Sequence, residues 1–282
     1  MSLIEAIVLG IIQGLTEFLP ISSTGHLTLA GKLMGLISDQ NPEYWTSFIA
    51  VIQLGTMISI FIYFWKDLWN IFVDFIKDNF HNRVKYSEQT SNAKLGWMII
   101  LGTVPIVVLG LLFKDIIEGT LTKNLYVIAG SLIALAIILA LAEKTAKFKK
   151  DLKDITLRDS ILIGCAQAVA LIPGSSRSGT TITGGLFLGL KRDVAARFSF
   201  LLSVPAVLAS GLLQLYESLK YINYDLTVNL IAATLVSAIS GYLAIDFLLK
   251  FLKKNTTFVF ILYRIVLGVL IIFLLYSNVI NP

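Results

Sequence analysis

Charge is what this sequence lacks most. Of its 282 residues only 15% are charged, against about 25% in an ordinary soluble domain. Cysteine is nearly absent as well: Cys165 stands alone in an apolar context, which excludes a disulfide framework and a thiol metal cluster. Histidine occurs twice and proline six times, so each instance carries information. Also missing are the roughly 10-residue alternating segments of a transmembrane barrel. The opening MSLIEAIVLG has no basic leader and no small-residue cleavage pattern, so the first segment is expected to remain in the mature chain.

What is present is apolar length. Hydrophobic residues make up 56% of the chain, in several windows of about the 20 residues that cross a hydrocarbon core. Six windows read as complete spans, at about 47–65, 94–113, 123–142, 195–216, 228–249 and 258–277. Two others, 3–36 and 158–190, are interrupted by Pro20 and Pro173. Proline removes a backbone hydrogen bond and clashes with the preceding helical turn. Irregular backbone at membrane depth survives only inside protein or beside a wet cavity. Each interrupted window is therefore expected to be a re-entrant helical hairpin. The fold class is all-α and polytopic: six transmembrane helices plus two hairpins in one membrane domain, 1–282.

Three spans follow each hairpin, so the second hairpin enters from the face opposite the first. This is an inverted-topology repeat of about 1–143 and 155–282. Gln13 pairs with Gln167, and Pro20-x-Ser22-Ser23 with Pro173-x-Ser175-Ser176. Charge gives an independent test. On this topology seventeen of the 23 Lys and Arg residues share one face, and only Lys32, Lys114, Lys123 and Lys220 lie on the other. By the positive-inside rule the basic face is cytoplasmic. Both termini and the mouth of the first hairpin then lie outside. Residues 66–93, which continue the run FWKDLWNIFVDFIKDNF begun at Phe64, read as an amphipathic interfacial helix. The basic run at 144–158 lacks interleaved aromatics, so no nucleic-acid partner is expected.

The polar residues concentrate at the two breaks. Gln13 and Glu17 are four apart and share a helix face. A carboxylate at membrane depth costs about 2.5–3.5 kcal/mol and needs a partner or water. Ser22, Ser23 and Thr24 open the half-helix after Pro20, where free backbone N–H groups favour an anion. Capping explains one hydroxyl there, not three followed by Gly25 and His26. His26 lies one turn in, within reach of a hydroxyl as acid or base. The second box supplies Arg177, whose planar fork suits phosphate oxygens, beside Ser176, Ser178 and Thr181. Arg264 and Asp246 read as structural pairs, with a site-facing Arg264 as the alternative, and His81 as a loop residue. A nucleophile, an imidazole, a carboxylate, an arginine and two helix N-termini suggest phosphoryl transfer, on a substrate with a lipid tail. The site expected is Ser23, His26, Glu17 and Arg177 as catalytic residues. Gln13, Ser22, Thr24, Ser176, Ser178 and Thr181 are expected to bind substrate. A secondary transporter or lipid flippase on the same scaffold is the alternative.

Gln13-Gly-Leu-Thr-Glu17, Phe18-Leu-Pro-Ile-Ser-Ser-Thr-Gly-His26 and Pro173-Gly-Ser-Ser-Arg-Ser-Gly179 resemble the signature boxes of the bacterial undecaprenyl pyrophosphate phosphatases linked to bacitracin resistance. The resemblance covers essentially the whole chain. It implies hydrolysis of a polyprenyl diphosphate to the monophosphate carrier lipid used in cell-wall synthesis. It also implies six spans with two re-entrant hairpins, and a divalent cation, Mg²⁺ or Ca²⁺. Many members carry glutamate where Gln13 stands, so here Glu17 is the one carboxylate expected at a metal. The two-histidine lipid phosphatases do not fit, since the second box has no histidine. Partners expected are the lipid substrate and the bilayer, with a homodimer left open.

Overall fold

The computed structural model describes residues 1–37, 42–113, 124–218 and 224–281. Lys114, Lys123 and Lys220, three of the basic residues assigned to the outer face, lie outside them. The described chain is helical throughout. Helices α1 (Leu3–Phe18) and α2 (Ser23–Leu33) form the first interrupted pair. They are followed by α3 (Pro42–Tyr63), α4 (Trp65–Ile76), α5 (Ser91–Leu112) and α6 (Leu125–Thr145). The second interrupted pair is α7 (Leu157–Ala168) and α8 (Arg177–Phe187), followed by α9 (Arg192–Ser218), α10 (Tyr224–Leu252) and α11 (Phe258–Tyr276).

The boundaries follow from local chemistry. Ser2 and Glu5 form a reciprocal capping box at the start of α1, and Thr156 and Asp159 do the same for α7. Such boxes satisfy two N–H groups that a helix start leaves unpaired. Thr90 and Asn124 cap α5 and α6 with their side-chain oxygens. Each half-helix pair ends its first member before the proline. Leu19 and Ile172 are extended, with ψ of 140° and 125°, as a residue preceding proline must be.

Among the described residues five helices are long and apolar enough to cross a membrane: Ser91–Leu112, Leu125–Thr145, Arg192–Tyr216, Thr227–Leu252 and Phe258–Tyr276. A sixth is reached if Phe48–Tyr63 and Trp65–His81, bent by 77° at Phe64, count as one span. These six coincide with the windows expected from the sequence. The bend falls where the span expected at 47–65 gives way to the interfacial helix expected from residue 66. Phe64 leaves helical geometry at φ −102° and ψ 20°, and α4 then runs to a π turn at Lys77–His81. Trp65, Trp69 and Phe72 are exposed along α4, with Trp65 stacked on Trp69 at 6.0 Å. Amphipathic aromatics of this kind settle at a bilayer boundary, which favours turning the chain rather than extending the span. His81 is exposed in that turn.

The outer surface is apolar: Leu111, Leu112, Leu243, Leu262 and Phe273 are all more than half exposed. Most polar side chains of the half-helices are buried instead, Gln13, Glu17, Ser178 and Thr181 among them. Helix α1 packs along α10, and α7 along α5. Both contacts run through glycine. A Cβ on Gly10 would run into the carbonyl oxygen of Ala233, and one on Gly164 into that of Gly102. Lipid offers no hydrophobic drive between helices, so close backbone approach through small residues supplies the association. Asp246, expected to be paired, accepts hydrogen bonds from Lys250 at 2.7 Å and Tyr63 at 3.3 Å.

Gly164→Ala should therefore separate α7 from α5 and destabilise the protein by about 1–3 kcal/mol, the usual cost of overpacking. Gly130→Ala, where an added Cβ meets nothing within 4 Å, should be neutral or slightly stabilising. Thermal unfolding in detergent compares them, and equal melting points would disprove the close-contact account of this interface.

Candidate active site

Both half-helix breaks are built the same way. Ser22 and Ser176 are the N-caps of α2 and α8, with φ of 75° and 66°. Non-glycine residues rarely occupy that left-handed region, and they tend to do so at functional sites. The Ser22 hydroxyl accepts from Gly25 N–H and the Ser176 hydroxyl from Gly179 N–H, each at 3.2 Å. Both half-helices are 11 residues long and leave through a left-handed glycine, Gly35 or Gly189.

The geometry corrects the repeat register at one place. Ser22, not Ser23, corresponds to Ser176, because the proline stands one position earlier in the second box and the place of Pro20 is taken by Gly174. It takes φ +85° and packs on Ser131 and Ile128 where any Cβ would collide. Gln13 with Gln167, Gly31 with Gly185 and Gly35 with Gly189 keep their register. The first residue of each half-helix therefore differs in kind. It is Ser23 in one box and Arg177 in the other.

These two residues meet on one carboxylate. Ser23 Oγ donates to Glu17 Oε2 at 2.7 Å, and Arg177 Nη2 donates to Glu17 Oε1 at 3.0 Å. Gln13 Nε2 donates to Oε2 and Gln53 Nε2 to Oε1, both at 3.1 Å. Glu17 is 7% exposed, so each oxygen accepts twice and little water reaches it. Removing one partner of such a buried ion pair costs about 3–5 kcal/mol, since it strands the other charge. The expected meeting of Glu17 and Arg177 is thus present. Gln53 was missed. Its only signal was an amide in the apolar run AVIQLGTM.

His26 stands elsewhere than a partner of Ser23 would. Its Nδ1 lies 2.7 Å from the Ser22 carbonyl oxygen, and its Nε2 lies 2.7 Å from the Tyr263 hydroxyl. A carbonyl only accepts, so Nδ1 carries the proton, and Nε2 of the neutral ring accepts from Tyr263. The two rings stack at 5.5 Å, 8° from parallel. Tyr263 was also missed, because a tyrosine in an apolar span is an ordinary residue. Glu17 is engaged by Ser23 and does not contact the imidazole.

The remaining hydroxyls divide. Ser178 is fully buried and donates to the Leu19 carbonyl at 3.0 Å, tying the second box to the break in the first. Its hydroxyl also lies 3.2 Å from that of Ser176. Thr181 donates to the Arg177 carbonyl at 2.8 Å and meets Ser199. Ser178 is thus committed to holding the two breaks together, and Thr181 to joining α8 to α9. Thr24 is exposed, and Ser23 and His26 are partly so.

The donor set can be tested against the divalent cation that the resemblance implies. Among the described residues no cluster of three His, Cys, Asp or Glu side chains could hold a metal. Glu17 is a single carboxylate whose four acceptor positions are filled by Ser23, Gln13, Gln53 and Arg177. These residues do not make a protein cage for the ion.

The arrangement thus offers a hydroxyl already hydrogen-bonded to a carboxylate, an arginine beside it and two helix N-termini, all between apolar helices. Known proteins with this sequence pattern exist. The chain matches the family described as "Bacitracin resistance protein BacA" over residues 6–270. It is 53% identical over 278 residues to a protein of Syntrophobacter fumaroxidans named "Undecaprenyl-diphosphatase", covering 99% of each chain. A protein of the same name from Prosthecochloris aestuarii is 53% identical over 285 residues, covering 98% of each. One from Chlorobium phaeovibrioides is 50% identical along the whole of both chains. This chain belongs to the bacitracin resistance protein BacA family.

Proposed function

We propose that this chain is an undecaprenyl-diphosphatase: a membrane hydrolase that takes the terminal phosphate from a polyprenyl diphosphate and leaves the lipid monophosphate. The observation that carries the reading is the Ser23–Glu17 hydrogen bond with Arg177 on the other carboxylate oxygen. A flippase needs an anion site but no hydroxyl primed by a carboxylate. Recycling of the carrier lipid, and through it bacitracin resistance, is the corresponding role.

In the proposed reaction Ser23 Oγ attacks the terminal phosphorus, and its proton passes to Glu17. The bond between that phosphorus and the bridging oxygen breaks, and the lipid monophosphate departs. Water then attacks the phosphoserine, returning the serine and releasing inorganic phosphate. Arg177 couples substrate to base. When its guanidinium turns to phosphate oxygens, Glu17 loses its neutralising partner and becomes the better proton acceptor. Catalysis of this type rests on positioning and charge stabilisation. His26, held by Tyr263, keeps the first turn of α2 in register and supplies a second proton carrier for the water step. The protein residues here make no cage for a divalent cation, and no step depends on one.

The proposal extends to architecture. The two boxes belong to an inverted-topology repeat, about 1–143 and 155–282, each opening on a re-entrant hairpin. Its supports are the matched caps and glycine exits and the crossed packing of α1 on α10 and α7 on α5. With the basic face in the cytoplasm of a bacterial plasma membrane, the termini and the site's mouth face outward.

Purified protein in detergent, without any gradient, should release phosphate from a polyprenyl diphosphate, and no release would defeat the phosphatase reading. Ser23→Ala and Glu17→Gln should each lower turnover by roughly 10²–10⁴-fold, the range of a lost proton-transfer partner. Acid quenching should trap phosphate on Ser23. Phosphate found on His26 would overturn the assignment. Gln13→Glu sets a second carboxylate against Glu17 with no cation cage to balance it. Its melting point should fall in metal-free buffer and recover with Mg²⁺, whereas wild type should show no such dependence. A flat response in the variant would contradict the electrostatic account. In intact cells carrying Cys165→Ser, an impermeant maleimide should label Asn281→Cys and not Ser87→Cys, and the reverse pattern would invert the topology.

A further inference from the structure

Arg264, on α11, is completely buried. Its Nη2 donates to two backbone carbonyls, Ser175 at 3.0 Å and Ser131 at 3.5 Å. Its Nε and Nη1 have no partner, and neither does the buried hydroxyl of Ser175. No carboxylate faces it among the described residues. Isolated charges are almost never buried, because the desolvation cost is several kcal/mol per ion. Glu17 and Arg177 already neutralise each other, so Arg264 leaves this region with one uncompensated positive charge. The surplus calls for an anion.

The position of the orphan N–H groups is specific. A Cβ built on Gly179, in the first turn of α8, would sit 2.7 Å from Arg264 Nη1. Glycine there is what lets the guanidinium reach the helix start. Arg177, one turn's edge away on the same helix, also has its Nε and Nη1 buried without partners. Two arginines thus bring four unused nitrogens to one helix N-terminus, itself an anion site. One phosphate cannot use both forks in full, and a diphosphate can.

We infer that Arg264 is a second phosphate-binding residue of this site, holding the phosphate that stays with the lipid while Arg177 holds the one that leaves. The inference rests on the phosphatase reading for the identity of the ligand. It also gives a reason for the site to prefer diphosphate over monophosphate: the second fork has an acceptor only when two phosphates are present. Lysine cannot replace arginine here, since it lacks the planar fork.

The test measures binding separately from turnover. Detergent-purified wild type, Arg264→Lys and Arg264→Gln are titrated with farnesyl methylenediphosphonate, which resists cleavage, and with farnesyl monophosphate. Wild type should bind the diphosphonate more tightly. Both variants should lose affinity for it by about 10- to 100-fold, the value of a charge-assisted hydrogen-bond pair, with monophosphate affinity changed less than about threefold. On cleavable substrate KM should rise more than kcat falls. Equal loss for both ligands, or wild-type affinity for the diphosphonate in Arg264→Lys, would make Arg264 a mere clamp on the Ser175 turn and overturn the inference. Collapse of the fold in both variants would do the same. If wild type binds the diphosphonate through Arg264 yet cleaves nothing, the phosphatase reading fails and the binding assignment stands.

Discussion

A carboxylate held away from water between apolar helices persists only if its surroundings meet every lone pair, and Glu17 is the point on which this molecule's interior turns. Its four donors come from α1, α2, α3 and α8, so one side chain ties the start of the chain to a segment 160 residues later. The electrostatic gain is large only while all four are present, because a partly satisfied buried network is worse than none. That coupling makes the site a folding constraint as well as a chemical device. The half-helices must meet, in register, for the charge to be tolerable at all.

The breaks are what permit the meeting. Pro20 and Pro173 end α1 and α7, and the left-handed serines at 22 and 176 turn the backbone so that a helix start points into the protein. Ser178 then bonds the Leu19 carbonyl, giving one broken segment's freed backbone group a partner from the other. Behind them, Ser131 and Arg264 grip the Pro173 and Ser175 carbonyls. Irregular backbone in an apolar layer is stable only when its polar groups are so answered. The hydroxyls at the two breaks are therefore mostly scaffold, and the proposed chemistry falls to the few that remain partly open, Ser23 above all.

Much of this was legible in the residues. Apolar windows give the spans because length and hydropathy are one-dimensional properties, and the prolines mark both breaks because their backbone effect is local. Glu17 and Arg177 are legible as partners, since two opposite charges in so apolar a chain have few alternatives. What escaped depends on rotation about helix axes. Whether Ser23 faces Glu17 or His26, both close in sequence, is decided by the cap geometry at Ser22. Gln53 and Tyr263 reach the site from α3 and α11, and nothing in their own neighbourhoods announces it. The one-residue slip between the boxes hides in Gly174, since an alignment anchored on proline matches the wrong serine.

That slip has a chemical meaning. With Ser22 and Ser176 as equivalent caps, Ser23 and Arg177 are the same structural position in two copies of one motif. A helix's first residue is well placed to serve an anion, its backbone N–H being free and its side chain projecting beside the ligand. The two breaks supply that position twice, and one holds a hydroxyl while the other holds a guanidinium. In the proposed reaction this asymmetry matters: two arginines would only bind, and two serines would lack the charge to hold a phosphate. Glu17, present in one box and replaced by Leu171 at the equivalent place in the other, completes it. A single carboxylate can accept the serine's proton and be balanced by one arginine, which leaves Arg264 as the surplus charge for substrate.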